Sequence, residues 1–228
     1  MNKRKPAIFI VGDSTAAKKL PEKRPEAGWG EYLHEYFNSE ITIQNNAMNG
    51  RSTKSFLEEG LFSEVEKNFQ RGDYLFIQFG HNDQKLKDPS RYTQPFFEYQ
   101  DNLTLMVQAA REKEVEPFIF SSVTRRVFEQ SQVDQTNLGE YPQAALELAK
   151  KLNIIGIDIF SKSCSLLNKL GKEQSQLLFL HLEPEINVNY PEGVADNTHF
   201  NERGAKVIAE LIVQELKGKS TTLQKYIK

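Results

Sequence analysis

The chain has 228 residues, enough for one sizeable hydrophobic core, and no composition shift, repeat or linker divides it, so a single domain over residues 1–228 is expected. Twenty-nine Lys and Arg against 31 Asp and Glu leave a formal charge of −2, which supplies no global field for nucleic acid or an anionic membrane. Cys164 stands alone, which excludes an intramolecular disulfide and a CxxC metal or redox site and fits a reducing compartment.

The opening, MNKRKPAIFIVGDST, is basic, but its apolar run lasts only from Ala7 to Val11, too short for an export signal. No stretch approaches the roughly 20 apolar residues of a membrane span, so the expectation is a cytoplasmic protein with neither membrane nor nucleic acid as partner.

Ala7–Val11 reads as a buried strand and runs into Gly12, Asp13, Ser14 and Thr15. That order puts the Ser14 hydroxyl at a strand-to-helix turn with the exposure a nucleophile needs; the same four residues equally suit a helix cap after a permissive glycine. Helical spacing follows over Trp29–Phe37. A second strand, Ile41–Gln44, leads to Asn49, Gly50, Arg51 and Ser52, where a glycine lets a backbone N–H approach a ligand, or simply turns the chain into the next helix with Ser52 as cap.

That helix is predicted over Phe56–Phe69, and a third strand over Tyr74–Phe79 ends at Gly80, His81, Asn82 and Asp83. The Asn82 amide can point into the crevice that holds Ser14 and Gly50. His81 is a candidate for substrate contact or for simple packing, and Asp13 and Asp83 read as turn braces. Helix Phe96–Lys113 precedes strand Pro117–Phe120, after which come Thr124, Arg125 and Arg126. Phe128–Gly139, rich in Gln, Ser and Asn, reads as a surface loop; helix Tyr141–Leu152, strand Ile154–Ile159 and helices Ser161–Leu170 and Glu202–Leu216 complete the chain.

Strands alternating with helices favour right-handed crossovers, giving an α/β fold: a three-layer α/β/α sandwich on a five-stranded parallel sheet. Such sheets bind ligands beyond the carboxyl ends of their strands, where these motifs fall. Just before the last helix, Asp196 and His199 lie three residues apart, close enough for one tight loop to supply both. A serine hydroxyl becomes a useful nucleophile when a neutral imidazole accepts its proton and a carboxylate holds that imidazole in the right tautomer. The Ser14 and Gly50 amides with the Asn82 side chain are candidate oxyanion donors, each worth about 3 kcal/mol of barrier. A DxxH pair can also be a fragment of a metal site, but no second cluster at ligand spacing accompanies it, so neither metal nor cofactor is expected. Arg51, Arg125 and Arg126 follow strand ends, where each can either grip a carboxylate in a planar two-pronged contact or anchor a loop.

With these blocks in order, the chain resembles the SGNH or GDSL hydrolase superfamily, named for its Ser, Gly, Asn and His. The wording GDST at 12–15, NGRSTKSF at 49–56, GHND at 80–83 and DNTHF at 196–200 is similar to the rhamnogalacturonan acetylesterase branch, supported by Thr124, Arg125 and Arg126, by Tyr141 and Pro142, and by Gly204 and Ala205. The resemblance implies a flavodoxin-like fold, Ser14 as nucleophile, Gly50 and Asn82 in the oxyanion hole, and His199 as base oriented by Asp196. It implies removal of acetyl groups from pectin-derived oligosaccharides, an acidic substrate to which the three arginines are suited. Other acyl substrates on the same scaffold (acetylxylan, lysophospholipid or thioester) and a non-catalytic carbohydrate-binding domain are the alternatives, and the oligomeric state is left open.

Overall fold

Ile8 and Ile10 pack into one buried layer while Ala7, Phe9 and Val11 pack into another, so the first strand is apolar on both faces. Such a strand belongs in the interior of a sheet with helices on either side. The computed structural model describes residues 4–228; the reading of the basic opening begins at residues 1–3, which lie outside the described residues.

In chain order the elements are β1 (Ala7–Gly12), β2 (Glu26–Ala27), α1 (Trp29–Tyr32), β3 (Thr42–Asn45), α2 (Thr53–Glu58), α3 (Leu61–Glu66), β4 (Tyr74–Gln78), α4 (Gln100–Glu112) and β5 (Glu116–Phe120). There follow β6 (Phe128–Glu129), β7 (Gln132–Val133), α5 (Tyr141–Lys151), β8 (Ile155–Ile157), α6 (Ile159–Gln176), β9 (Phe179–Leu182), β10 (Val194–Asn201) and α7 (Glu202–Lys217).

Five parallel strands form the main sheet in the order β3-β1-β4-β5-β8, the expected α/β arrangement with flavodoxin-like winding. The chain leaves β1 toward β3 on one side and returns to β4 on the other, opening a crevice between the ends of β1 and β4. Their register pairs Gly12 with Gln78, which sets the segments after both strands side by side. Trp29 of α1, Leu167 of α6 and Ile208 and Ile212 of α7 cover one face. Phe56, Phe62, Met106 and Leu148, from α2, α3, α4 and α5, cover the other.

The predicted helix Phe56–Phe69 is two helices, because Gly60 takes a left-handed backbone (φ 73°) between α2 and α3. Trp29–Phe37 keeps one α-helical turn and tightens to a 3₁₀ turn over Leu33–Tyr36. The expected loop Phe128–Gly139 contains the β6–β7 hairpin. A second sheet, β2-β10-β9, has no counterpart in the sequence reading. Among the described residues no helix is long and apolar enough to cross a membrane.

Candidate active site

The DNTHF block lies on a strand rather than in the tight loop that its spacing suggests. β10 pairs with β9 from Val194 to Asp196 and again at Phe200, with a register shift between, and β2 pairs with its other edge at Phe200 and Asn201. A shift of this kind re-aims the intervening side chains, here those of Asn197, Thr198 and His199. The Phe200 and Phe179 rings, both buried with centroids 5.1 Å apart, anchor the strand beneath.

Asp196 Oδ1 accepts the backbone N–H groups of Thr198 (2.6 Å) and His199 (3.0 Å), which fixes the bulge, while Oδ2 lies 2.7 Å from His199 Nδ1. With Nδ1 donating to the carboxylate, His199 Nε2 is free to accept from the Ser14 hydroxyl, 2.8 Å away. Partial burial opposes ionisation of Asp196, but the hydrogen bond and charge of His199 outweigh it and hold the carboxyl well below the usual carboxylate range.

Ser14 follows β1 on a turn fixed by Asp13, whose Oδ1 accepts from Thr15 N–H (2.9 Å) and the Thr15 hydroxyl (2.7 Å). Asp13 Oδ2 holds His81 Nδ1 at 2.9 Å. Burial raises the Asp13 pKa, yet the His81 and Thr15 contacts win and bring it down to about 2. Among the described residues, neither the Ser14 nor the Gly50 backbone N–H finds a protein acceptor. Gly50 adopts φ 76°, and Asn82 Nδ2 donates to the Arg51 carbonyl at 3.0 Å, which fixes its amide plane. Gly80 precedes this group at φ 145°, where a Cβ would collide with the Ser122 hydroxyl.

Asp83 is fully buried and braces the same loop: its Oδ1 accepts from Thr53 N–H (3.0 Å) and from the Thr53 and Thr93 hydroxyls (2.5 and 2.9 Å), while Oδ2 meets no partner. Burial pushes its pKa up to about 7, the hydrogen bonds offsetting only part of the desolvation.

Ser14, Gly50, Asn82 and His199 line one cavity of about 380 Å³, together with His81 and Arg125. The Arg125 guanidinium donates to the Thr198 hydroxyl (2.5 Å) and the His81 carbonyl (3.3 Å), so it links the two histidine segments. The structure does not bring Arg51 or Arg126 to this cavity. Arg51 pairs with Glu59 (2.7 Å) and donates to the Asn49 carbonyl (2.9 Å), whereas Arg126 binds Asn197 Oδ1, Ser175 Oγ and the Lys172 carbonyl. Both hold loops. Lys23, Lys85, Glu26 and Asn49 complete much of the lining and were not legible as site residues, since lone polar side chains between elements carry no motif. Among the described residues, no three His, Cys, Asp or Glu side chains cluster as metal ligands.

Residues 10–207 match the GDSL-like Lipase/Acylhydrolase family. Over 94% of this chain and 90% of the relative, the sequence is 41% identical to Rhamnogalacturonan acetylesterase RhgT of Bacillus subtilis (strain 168). It is 31% identical, over 92% of both chains, to Probable rhamnogalacturonan acetylesterase YesY of the same organism. Among solved structures, protein YXIM_BACsu from Bacillus subtilis superposes with a TM-score of 0.80 at 23% identity, covering 96% of this chain, which itself spans 58% of that one, and so shares the fold. The protein belongs to the GDSL-like lipase and acylhydrolase family.

Proposed function

We propose that this protein is a serine esterase that removes acetyl groups from carbohydrate, with acetylated rhamnogalacturonan oligosaccharides as its substrate, and that residues 1–228 form one hydrolase domain. The observation that carries the chemistry is the hydroxyl–imidazole–carboxylate relay, 2.8 Å from Ser14 Oγ to His199 and 2.7 Å from His199 to Asp196. The substrate class is supported by the two relatives named as rhamnogalacturonan acetylesterases, which align over at least 90% of either chain.

In the proposed reaction His199 Nε2 takes the Ser14 proton as Oγ attacks the acetyl carbonyl. The oxyanion rests against the Ser14 and Gly50 N–H groups and Asn82 Nδ2. His199 then protonates the departing sugar oxygen, leaving an acetyl group on Ser14. Water, deprotonated by His199, attacks that ester; Ser14 recovers its proton and acetate leaves. No metal or organic cofactor is needed.

The cavity supports a short acyl group on a polar carrier. Among the described residues no Ala, Val, Leu, Ile, Met, Phe, Tyr or Trp lines it, so they form no apolar channel for a long acyl chain. Lys23, Lys85 and Arg125 give it positive charge, and Glu26, the one lining carboxylate among the described residues, is neutralised by Lys19 at 2.8 Å. That balance suits an acidic sugar, with His81 and Arg125 as the contact candidates and Arg51 and Arg126 serving the loops.

The test is acetate release from acetylated rhamnogalacturonan oligosaccharides, acetylated xylan fragments and an aryl acetate, with wild type and Ser14→Ala. Release from the pectic substrate that vanishes in the variant is expected. Aryl acetate turnover without pectic release would discard the sugar, and full activity in Ser14→Ala would discard the nucleophile.

A further inference from the structure

Lys19 is buried, yet its ammonium has no place in the relay or the oxyanion hole. An ammonium can hold several partners at once, and here two hydrogen-bond acceptors and one ion-pair partner come from different segments. Nζ lies 2.5 Å from the Ser14 carbonyl, 2.7 Å from Asn49 Oδ1 and 2.8 Å from Glu26 Oε1. Apart from the Asn82 loop, those contacts reach each part of the proposed chemistry. Ser14 is the nucleophile, Asn49 adjoins Gly50, and Glu26 is the β2 residue paired with Asn201 of β10, the strand that bears Asp196 and His199.

The contact with Ser14 acts on one peptide plane. The Thr15 N–H end of the Ser14–Thr15 peptide is held by Asp13, and its carbonyl end is held by Lys19, so the plane cannot rotate about the chain. The Asn49–Gly50 peptide is similarly steadied: Arg51 binds the Asn49 carbonyl while Lys19 holds the Asn49 side chain, leaving the Gly50 N–H pointing free. Stability alone does not call for an ion pair at such a place, because apolar residues of similar volume generally serve a buried position as well or better. Two hydrogen bonds and an ion pair from one ammonium fix relative position instead.

We propose that Lys19 is a positioning residue for the esterase reaction, holding the nucleophile turn, the Gly50 loop and the base-bearing strand in register; this rests on the function proposed above. Misplacing reacting groups by about 1 Å is enough to lower a rate by about 100-fold, and a positioning loss of this kind falls on kcat rather than on KM.

The experiment measures kcat, KM and melting temperature on an aryl acetate for wild type, Lys19→Met and Lys19→Met/Glu26→Gln. The single variant leaves Glu26 buried without its partner; the double variant removes that penalty. The expected result is a kcat lower by about 100-fold in both, with KM little changed, and a melting temperature that the double variant restores although kcat stays low. Return of kcat together with melting temperature in the double variant would overturn the proposal, since Lys19 would then serve stability only. Should Lys19→Met fail to fold, the double variant decides alone. Because the assay uses an aryl ester, a wild type inactive on pectic oligosaccharides refutes the sugar assignment and leaves this comparison standing; a wild type inert on the aryl ester overturns both.

Discussion

Asp83→Asn should stabilise the protein at alkaline pH and give no benefit, or a cost, at acid pH. The Asp83 carboxyl is fully buried, and its pKa stands at about 7 in the fold against an ordinary value of 3.8. Between those values the native state keeps a proton that the unfolded chain has released, so its stability falls as pH rises through that window. The gap of about three units corresponds to about 4 kcal/mol lost by pH 8. Asparagine keeps an Oδ1 acceptor for Thr53 and Thr93 but places an amide where Oδ2 has no partner, returning roughly 1–3 kcal/mol of the gain. A net benefit of about 2 kcal/mol at pH 8 should therefore shrink to nothing or reverse near pH 4. Denaturant midpoints of both proteins at pH 4, 6 and 8 measure this directly. Parallel pH dependence in the two proteins would show that Asp83 does not titrate in this window.

Asp196→Asn retains the Oδ1 bonds to Thr198 and His199 N–H but turns an amide toward His199 Nδ1, forcing the tautomer that cannot accept from Ser14; kcat on an aryl acetate should fall by about 10⁴-fold, and a loss under tenfold would remove Asp196 from the relay. Gly204→Ala drives a Cβ into the Leu178 carbonyl oxygen where α7 begins; urea unfolding should show a loss of about 3 kcal/mol, and an unchanged midpoint would mean that the helix start shifts freely.

The parallel sheet was legible because its central strands are apolar on both faces and short, as in Ala7–Val11 and Tyr74–Gln78. The rim sheet was not. β10 reads VADNTHFN, more than half polar and without a clean period of two, and its partner β2 has only two residues, so pairing there is imposed by the fold rather than by propensity. Within the site, Ser14, Gly50, Asn82 and His199 announced themselves through motifs, and the structure gathers them around one cavity. Their roles remain part of the proposal. Arg51 and Arg126 could not be resolved from sequence, because adjacency to a strand end says nothing about direction. Arg51 turns to Glu59 just beyond α2, and Arg126 wraps around Asn197 and the Lys172 carbonyl. Lys19 was invisible for a related reason: in a sequence, a lysine after GDSTAAK looks solvated, and only its buried contacts with Ser14, Glu26 and Asn49 reveal otherwise.

Ser14 and His199 lie 185 positions apart, whereas the last strand of the main sheet ends at Ile157. The Ser14 hydroxyl thus follows the first strand of the main sheet, whereas the imidazole sits on a segment that comes after the last one. β10 leads straight into α7, whose Ile208 and Ile212 cover one face of the sheet, so covering that face and bringing His199 to Ser14 belong to the same segment of the chain. Under the proposed roles, a molecule still exposing that apolar sheet face is therefore also one whose serine lacks its base.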